Sequence, residues 1–302
     1  MPKMFFYVEQ VDPYIHVDIA AAEDPFRLSL GLRIRNVHTA TLYFRVTGSG
    51  VDWIFGVQAL GAVGAGASRH FIAPDLGSTP LPTSAQDKDI LLTVEAYSDA
   101  YVTKVSEVNL PVTVRFIDST DGSWTIDDED TFDVDLDGWA AQLGTLSRET
   151  AYFLSPDYSA FIQNTRSSSS GSVNAEMVKT GSIGAGNEAF IILNLRLYMY
   201  LFSISGAMYV DGWIDGIEVL VGGTTYAIIR DTMMHNRITY LGYGHGETFV
   251  GDFWYHLVVP ITPGAGNTVK VRIIGHASLS DGVNPDRCTV GAYVDNVKWS
   301  HR

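Results

Sequence analysis

The chain has 302 residues, of which 46% are apolar and only 18% charged, with 29 glycines, 15 tyrosines and 14 phenylalanines. Its formal net charge of −14 excludes nucleic acid as a partner, because phosphate binding needs basic side chains that displace counterions. The same charge argues against anionic membrane surfaces, and a single cysteine, Cys288, excludes an internal disulfide.

Low charge with abundant glycine, aromatic and β-branched residues predicts an all-β protein, and the length predicts two domains. The N-terminal apolar run, Met4 to Val8, is shorter than the h-region of a secretory signal. Strands are predicted at "FFYVEQV", "RLSLGLRIRNV", "ATLYFRVTG" and "DILLTVEAY", where side-chain character largely alternates. Pro80 and Pro82 mark a loop, and "VNLPVTVRFID" closes the half as a last strand. Strands at this spacing, with no helical period, predict a first β-sandwich over residues 1–118. Nine acidic residues without a basic one follow between Asp118 and Asp137. A run of like charge reads as a solvated linker, here 119–131.

From residue 132 to 302 the pattern is again β. Residues 189–210, "AFIILNLRLYMYLFSISGAMYV", are long and apolar. Arg196 lies inside them, and a mid-membrane arginine costs at least about 2.5–3.5 kcal/mol. The segment therefore reads as two buried strands joined at Ser203, Ser205 and Gly206, and no membrane insertion is expected. Further strands are predicted at "TTYAIIRDT", "WYHLVVPI", "NTVKVRIIG" and "GAYVDNVKW".

Two resemblances follow from these stretches. "LGAVGAGASRHFIAPD" (60–75) and "LLTVEAYSDAYVTKVSEVNLPVTVRF" (91–116) resemble two hairpins of immunoglobulin-like spacer domains of surface proteins. "FDVDLDGW" (132–139), "WYHLVVPITPGAGNTVKVRIIG" (254–275) and "AYVDNVKW" (292–299) resemble the opening, penultimate and closing parts of the jelly-roll sandwiches of carbohydrate-binding and galactose-binding-like modules. The second resemblance implies a last strand lying beside the first. It also implies a structural Ca2+ joining them, with Asp133, Asp157 and Asp295 as ligands; the family acid at the opening is usually Glu, and Asp133 is shorter.

Residues 133–137 allow three readings on their own. D-x-D-x-D-G begins like a twelve-residue calcium loop, but the twelfth position is Gly144 where a bidentate Glu is needed. The second reading is the interstrand calcium just described. The third is a strand whose Asp133, Asp135 and Asp137 point outward while Val134 and Leu136 point in.

Catalytic signatures are missing: no G-x-S-x-G, P-loop or H-E-x-x-H occurs. His235, His245 and His256 match no metal-site spacing, and no pair of carboxylates stands out for glycoside hydrolysis. Aromatics remain, since flat rings stack on the apolar faces of sugars. The candidates are Tyr240, Tyr243 and His245 in the loop after "MMHNR", with Trp213. Tyr198 and Tyr200 join them if they line an open sheet face, and otherwise they are core or cross-strand partners. The expectation is a non-enzymatic structural or display protein of a virion or cell surface. It would assemble as a homo-oligomer or with other surface proteins, and its jelly roll would bind glycans. The alternative is the carbohydrate-binding region of a secreted polysaccharide-active protein.

Overall fold

A computed structural model describes residues 5–10, 14–20, 22, 24–154, 157–167, 169–203, 209–239, 244–251, 254–279 and 286–302. The protein is all-β: the described residues form strands, turns and bends and no helix, so none that could cross a membrane. The chain divides into two compact units, Met1–Ser119 and Thr120–Arg302.

The first unit contains β1 (Phe6–Gln10), β2 (Tyr14–Asp18), β3 (Phe26–Asn36), β4 (Leu42–Gly50), β5 (Ile54–Phe55), β6 (Gln58–Val63), β7 (Ser68–Thr79), β8 (Gln86–Tyr97) and β9 (Lys104–Ile117). They form a four-stranded sheet, β1-β3-β7-β5, and a five-stranded sheet, β2-β9-β8-β4-β6. Period-two alternation builds the core: Leu42, Phe44 and Val46 of β4 are buried, as are Ile90, Leu92 and Val94 of β8. The entering chain serves both layers, since β1 pairs antiparallel with β3 and β2 pairs in parallel with β9. β8 and β9 form an antiparallel hairpin. The glycine-rich segment 60–75 is not a hairpin, in contrast to the sequence expectation. β6 pairs with β4 in one sheet and β7 with β3 in the other, so residues 64–67 cross between layers. Gly66 takes a φ of +67° there, which favours glycine.

The second unit contains β10 (Thr125–Asp130), β11 (Ala140–Leu143), β12 (Thr145–Glu149), β13 (Ser159–Ser167), β14 (Gly171–Ser172), β15 (Ala175–Thr180), β16 (Ala189–Ser203), β17 (Tyr209–Val221), β18 (Thr224–Thr239), β19 (His245–Val250), β20 (Tyr255–Ile261), β21 (Thr268–Ser278) and β22 (Arg287–His301). A seven-stranded sheet has the path β12-β13-β22-β16-β19, with β10 also on β22 and β20 also on β16. A six-stranded sheet has the path β11-β15-β21-β17-β18, with β14 on β21. Both sheets bury side chains in one core that includes Ile162, Leu195, Ile217, Val271 and Trp299. β16 shows why. Ile191, Leu193, Leu195, Leu197, Met199 and Leu201 are fully or almost fully buried on one side of the strand, each burial contributing about 1.5–3 kcal/mol. Cys288 belongs to this core, and burial pushes its thiol up to about 12, which leaves it inert.

The first strand of this unit lies beside the last: Asp130 is paired with Val297, and Phe132 and Val297 share the core. This corrects the reading of 119–131 as a solvated linker. Thr125–Asp130 is a strand, and its acids are used. Asp127 meets His301 at 2.9 Å, Glu129 meets Lys298 at 3.2 Å, and Asp128 meets Lys179 at 2.7 Å. Asp130 is buried against Lys179 and accepts the Trp139 indole N–H at 2.9 Å. Residues 133–137 are not a strand either; they turn. Val134 is 84% exposed rather than inward. Asp135 accepts the Asp137 N–H at 2.6 Å and Asp137 accepts the Phe132 N–H at 3.0 Å. Short acidic side chains here replace ladder bonds with local ones.

Candidate functional site

Alternation that points leucines into the core must point the intervening residues of β16 outward: Arg196, Tyr198, Tyr200 and Phe202. The register of the seven-stranded sheet decides what meets them. Arg196 lies beside Tyr293, and Tyr293 beside Phe161. The next outward row runs Val250, Tyr198, Gly291, Gln163, Thr145. The row after that runs Thr248, Tyr200, Thr289, Thr165. Phe202, Arg287 and Ser167 make the last.

The rings form two groups. Phe161 stacks on Tyr293 with centroids 4.4 Å apart, and Tyr198 meets Phe161 edge-on at 4.9 Å. Tyr152 packs against Tyr293 at 5.0 Å, and the Arg196 guanidinium lies 4.3 Å from the Tyr152 centroid. Tyr200 stacks with Phe202 at 6.3 Å, and Arg287 reaches to 6.0 Å from the Phe202 ring. Beside Tyr198 and Tyr200 the two middle rows are low. Gly291 has no side chain, and a Cβ there would collide with the Ile162 carbonyl of the adjacent strand. Thr289 is shallow, its hydroxyl 2.8 Å from that of Thr165. The result is a trough that crosses the strands. Phe161, Tyr293, Tyr152 and Arg196 wall one side and Phe202 with Arg287 the other; Tyr198 and Tyr200 stand within it. Burial pushes the Tyr293 hydroxyl up to about 12 and raises that of Tyr198, so both stay protonated and able to donate.

The outward face of the six-stranded sheet differs. Trp213 stands between His276, stacked at 4.7 Å, and His235, at 5.8 Å and 74°. Arg237 holds Asp211 with two contacts of 2.5 and 2.6 Å. Arg272 holds Glu176 at 2.5 Å and Glu218 at 2.9 Å, and Lys270 adds a 3.4 Å contact to Glu176. A guanidinium shared between Glu176 and Glu218 fixes both as ion-pair partners, which is not the arrangement of an acid and base flanking a sugar bond.

Of Tyr240, Tyr243, His245 and Trp213, expected from sequence to bind sugar, the two that are described, Trp213 and His245, are not brought together. Tyr240 and Tyr243 lie outside the described residues. Trp213 belongs to the six-stranded sheet, whereas His245 starts an edge strand of the seven-stranded sheet. His245 is opposite Ser203, off the Tyr200–Phe202 side, and bonds Glu247 at 2.7 Å. Tyr198 and Tyr200 do line an outward face. Phe161, Tyr293, Tyr152, Arg196 and Arg287 were missed. The alternation of "TVGAYVD" carried part of that signal, but the pairing register that joins it to β16 did not.

For the calcium expectation, Asp295 is fully buried, accepting the N–H groups of Leu154 at 2.6 Å and Asn296 at 2.7 Å. Asp133 keeps one carboxylate oxygen buried without a hydrogen-bond partner. Asp157 is exposed, with a φ of +80°. Among the described residues no group of three or more His, Cys, Asp or Glu side chains is placed to hold a metal ion.

No family model matches the chain, and no curated protein matches it. Solved structures that are similar to it include carbohydrate-binding modules and the YadV chaperone, the latter 9% identical over 89% of this chain and 100% of its own, with a TM-score of 0.26. A mannan-recognising module, TmCBM27, is 14% identical over 60% of this chain and 99% of its own, with a TM-score of 0.30. The C-terminal family 22 module of Clostridium thermocellum Xyn10B is 13% identical over 57% and 91%, with a TM-score of 0.26. A family 28 module specific for non-crystalline cellulose is 12% identical over 56% and 90%, also at 0.26. At these TM-scores the likeness assigns no ligand to this chain.

Proposed function

We propose that this is a non-catalytic glycan-binding protein whose second unit holds sugar chains in the trough on the seven-stranded sheet. One observation carries the reading: half-buried Tyr198 and Tyr200 stand among Gln163, Thr165, Thr248 and Thr289 on an outward face. Rings supply apolar platforms for pyranose faces, and the amide and hydroxyls supply hydrogen bonds around them. The chain's place is the surface of a virion or cell, with the first unit as an immunoglobulin-like spacer; strands β1 and β2 serving opposite layers support that assignment. The same face also serves the alternative, a binding region of a secreted polysaccharide-active protein. Size-exclusion chromatography separates the two, a stable oligomer favouring display and a monomer the secreted module.

We further propose a structural Ca2+ between opening and closing strands. The unpartnered Asp133 oxygen and buried Asp295 are the groups whose charge an ion would offset. Asp157, exposed here, would add a ligand only from the loop it occupies. EDTA should then lower the Tm of the second unit and added calcium restore it, with D133N abolishing the difference. An unchanged Tm would remove the ion from the account.

The binding reading is tested by affinity electrophoresis in gels containing xylan, mannan, cellulose derivatives or pectins. Retardation by at least one polymer is expected. A Y198A/Y200A double variant should lose at least about tenfold in affinity, while W213A keeps it. No retardation by any polymer, or equal loss in W213A, would overturn the trough.

A further inference from the structure

Charge on the trough is opposite to charge on the chain. The protein carries 34 acidic and 20 basic residues, so an outward face of this size should be acidic. Yet among the described residues, the four outward rows from Arg196 to Arg287 contain no carboxylate. They contain two guanidiniums, one on each wall. Most other described cations of this unit are committed to carboxylates: Lys179, Arg237, Lys270, Arg272, Lys298 and Arg302. Arg148 and Arg166 are not, but each donates to main-chain carbonyls, of Phe132 and of Ser169, Ser170 and Ser172 respectively. Arg196 donates its Nε–H to the Gly251 carbonyl at 2.6 Å and lies over the Tyr152 ring, with no carboxylate paired to it among the described residues. Arg287 is exposed, and its guanidinium lies over the Phe202 ring. Beside these rows, Glu149 is engaged by the Ser147 hydroxyl at 2.8 Å and Glu247 by His245, and Asp286, which precedes Arg287, is fully buried.

Building on the glycan reading, we infer that the trough selects acidic sugars, with anionic groups of the chain taken by Arg196 and Arg287 while the rings stack on Tyr198 and Tyr200. Guanidinium forms paired hydrogen bonds to planar carboxylates and to sulfate esters. At ordinary ionic strength screening confines the field to about 10 Å, so the local pair of cations outweighs the acidic remainder of the molecule.

The test uses the full chain in gels containing polygalacturonate, its carboxyl-reduced form, or dextran sulfate. Polygalacturonate or dextran sulfate should retard the protein, and whichever does so identifies carboxylate or sulfate as the recognised group. Carboxyl reduction should weaken binding about tenfold, the size of one charge-assisted contact. R287Q, at an exposed position, should keep the wild-type Tm and lose about fivefold in affinity for the polyanion. Equal or tighter binding of the carboxyl-reduced polymer would overturn the acidic preference alone and leave glycan binding standing. Retardation by polyanions that Y198A/Y200A does not diminish would overturn it too, as bulk ion pairing. Failure of every polymer, neutral ones included, would overturn both.

Discussion

The two outward faces of the second unit come from the same strand alternation and treat charge in opposite ways. On the six-stranded sheet Arg272 bridges Glu176 and Glu218, Lys270 adds to Glu176, and Arg237 clasps Asp211. On the seven-stranded sheet Arg196 and Arg287 lie against aromatic rings and, among the described residues, pair with no carboxylate. The first face has satisfied its charges internally and offers a ligand little that water does not already supply. The second presents guanidiniums and ring surface not committed to carboxylates among the described residues. Paired charge favours a fixed structure, and unpaired cations beside rings favour recognition.

The largest effect should come from removing the low floor of the trough. In G291A the new methyl meets the Ile162 carbonyl, so β13 must move away from β22. A loss of roughly 4 kcal/mol or more is expected, as for other severe core clashes, together with loss of polysaccharide retention. Urea denaturation and affinity gels measure both. A G291A protein that folds and binds like wild type would break the register on which the trough depends.

The next effect sets the faces directly against each other. R272A removes the guanidinium between two carboxylates, leaving Glu176, only 2% exposed at its side chain, with the longer 3.4 Å contact to Lys270. Stability should fall by about 3 kcal/mol, as when one partner of a buried ion pair is removed, with glycan retention unchanged. R196Q should cost under about 1 kcal/mol and weaken retention. If the two variants exchange phenotypes, the assignment of one face to structure and the other to ligand is reversed.

How far this was legible from sequence varies residue by residue. The strand at 189–203 was plain, because seven apolar residues alternate with others over fifteen positions. Tyr198 and Tyr200 were visible but undecided, since alternation gives opposite faces and not which of them is covered. Phe161 and Tyr293 were invisible as partners: they are far apart in sequence, and only the β13–β22 register places them side by side. The acidic stretch misled for a related reason. Charge density alone describes a solvated segment, but Lys179, Lys298 and His301 wait elsewhere in the chain as partners for Asp128, Asp130, Glu129 and Asp127. Trp213, between Gly212 and Ile214, was ambiguous in sequence, and its cross-strand histidines could be found only once β17, β18 and β21 were paired.

The smallest expected effect concerns charge inside the sandwich, where neither outward face takes part. Asp130 is 1% exposed, and burial pushes its carboxyl up to about 6 against the opposing pull of Lys179 and the Trp139 indole. Unfolded, it titrates near its ordinary value of 3.8. Between these values the folded chain holds a proton that the unfolded chain has released. The contribution of this group to stability is therefore full below about pH 4 and is lost as pH rises through about 6. D130N cannot titrate, so the stability of wild type minus that of D130N should be greater at pH 4 than at pH 8 by about 2 kcal/mol. Denaturation of the second unit's transition at several pH values measures the gap, and changes in carboxylates elsewhere cancel because both proteins carry them. A gap that widens as pH rises would mean that Lys179 keeps Asp130 ionised, making the interior pair equivalent to the ion pairs of the six-stranded face. The contrast within this unit would then lie between the ring face and everything else.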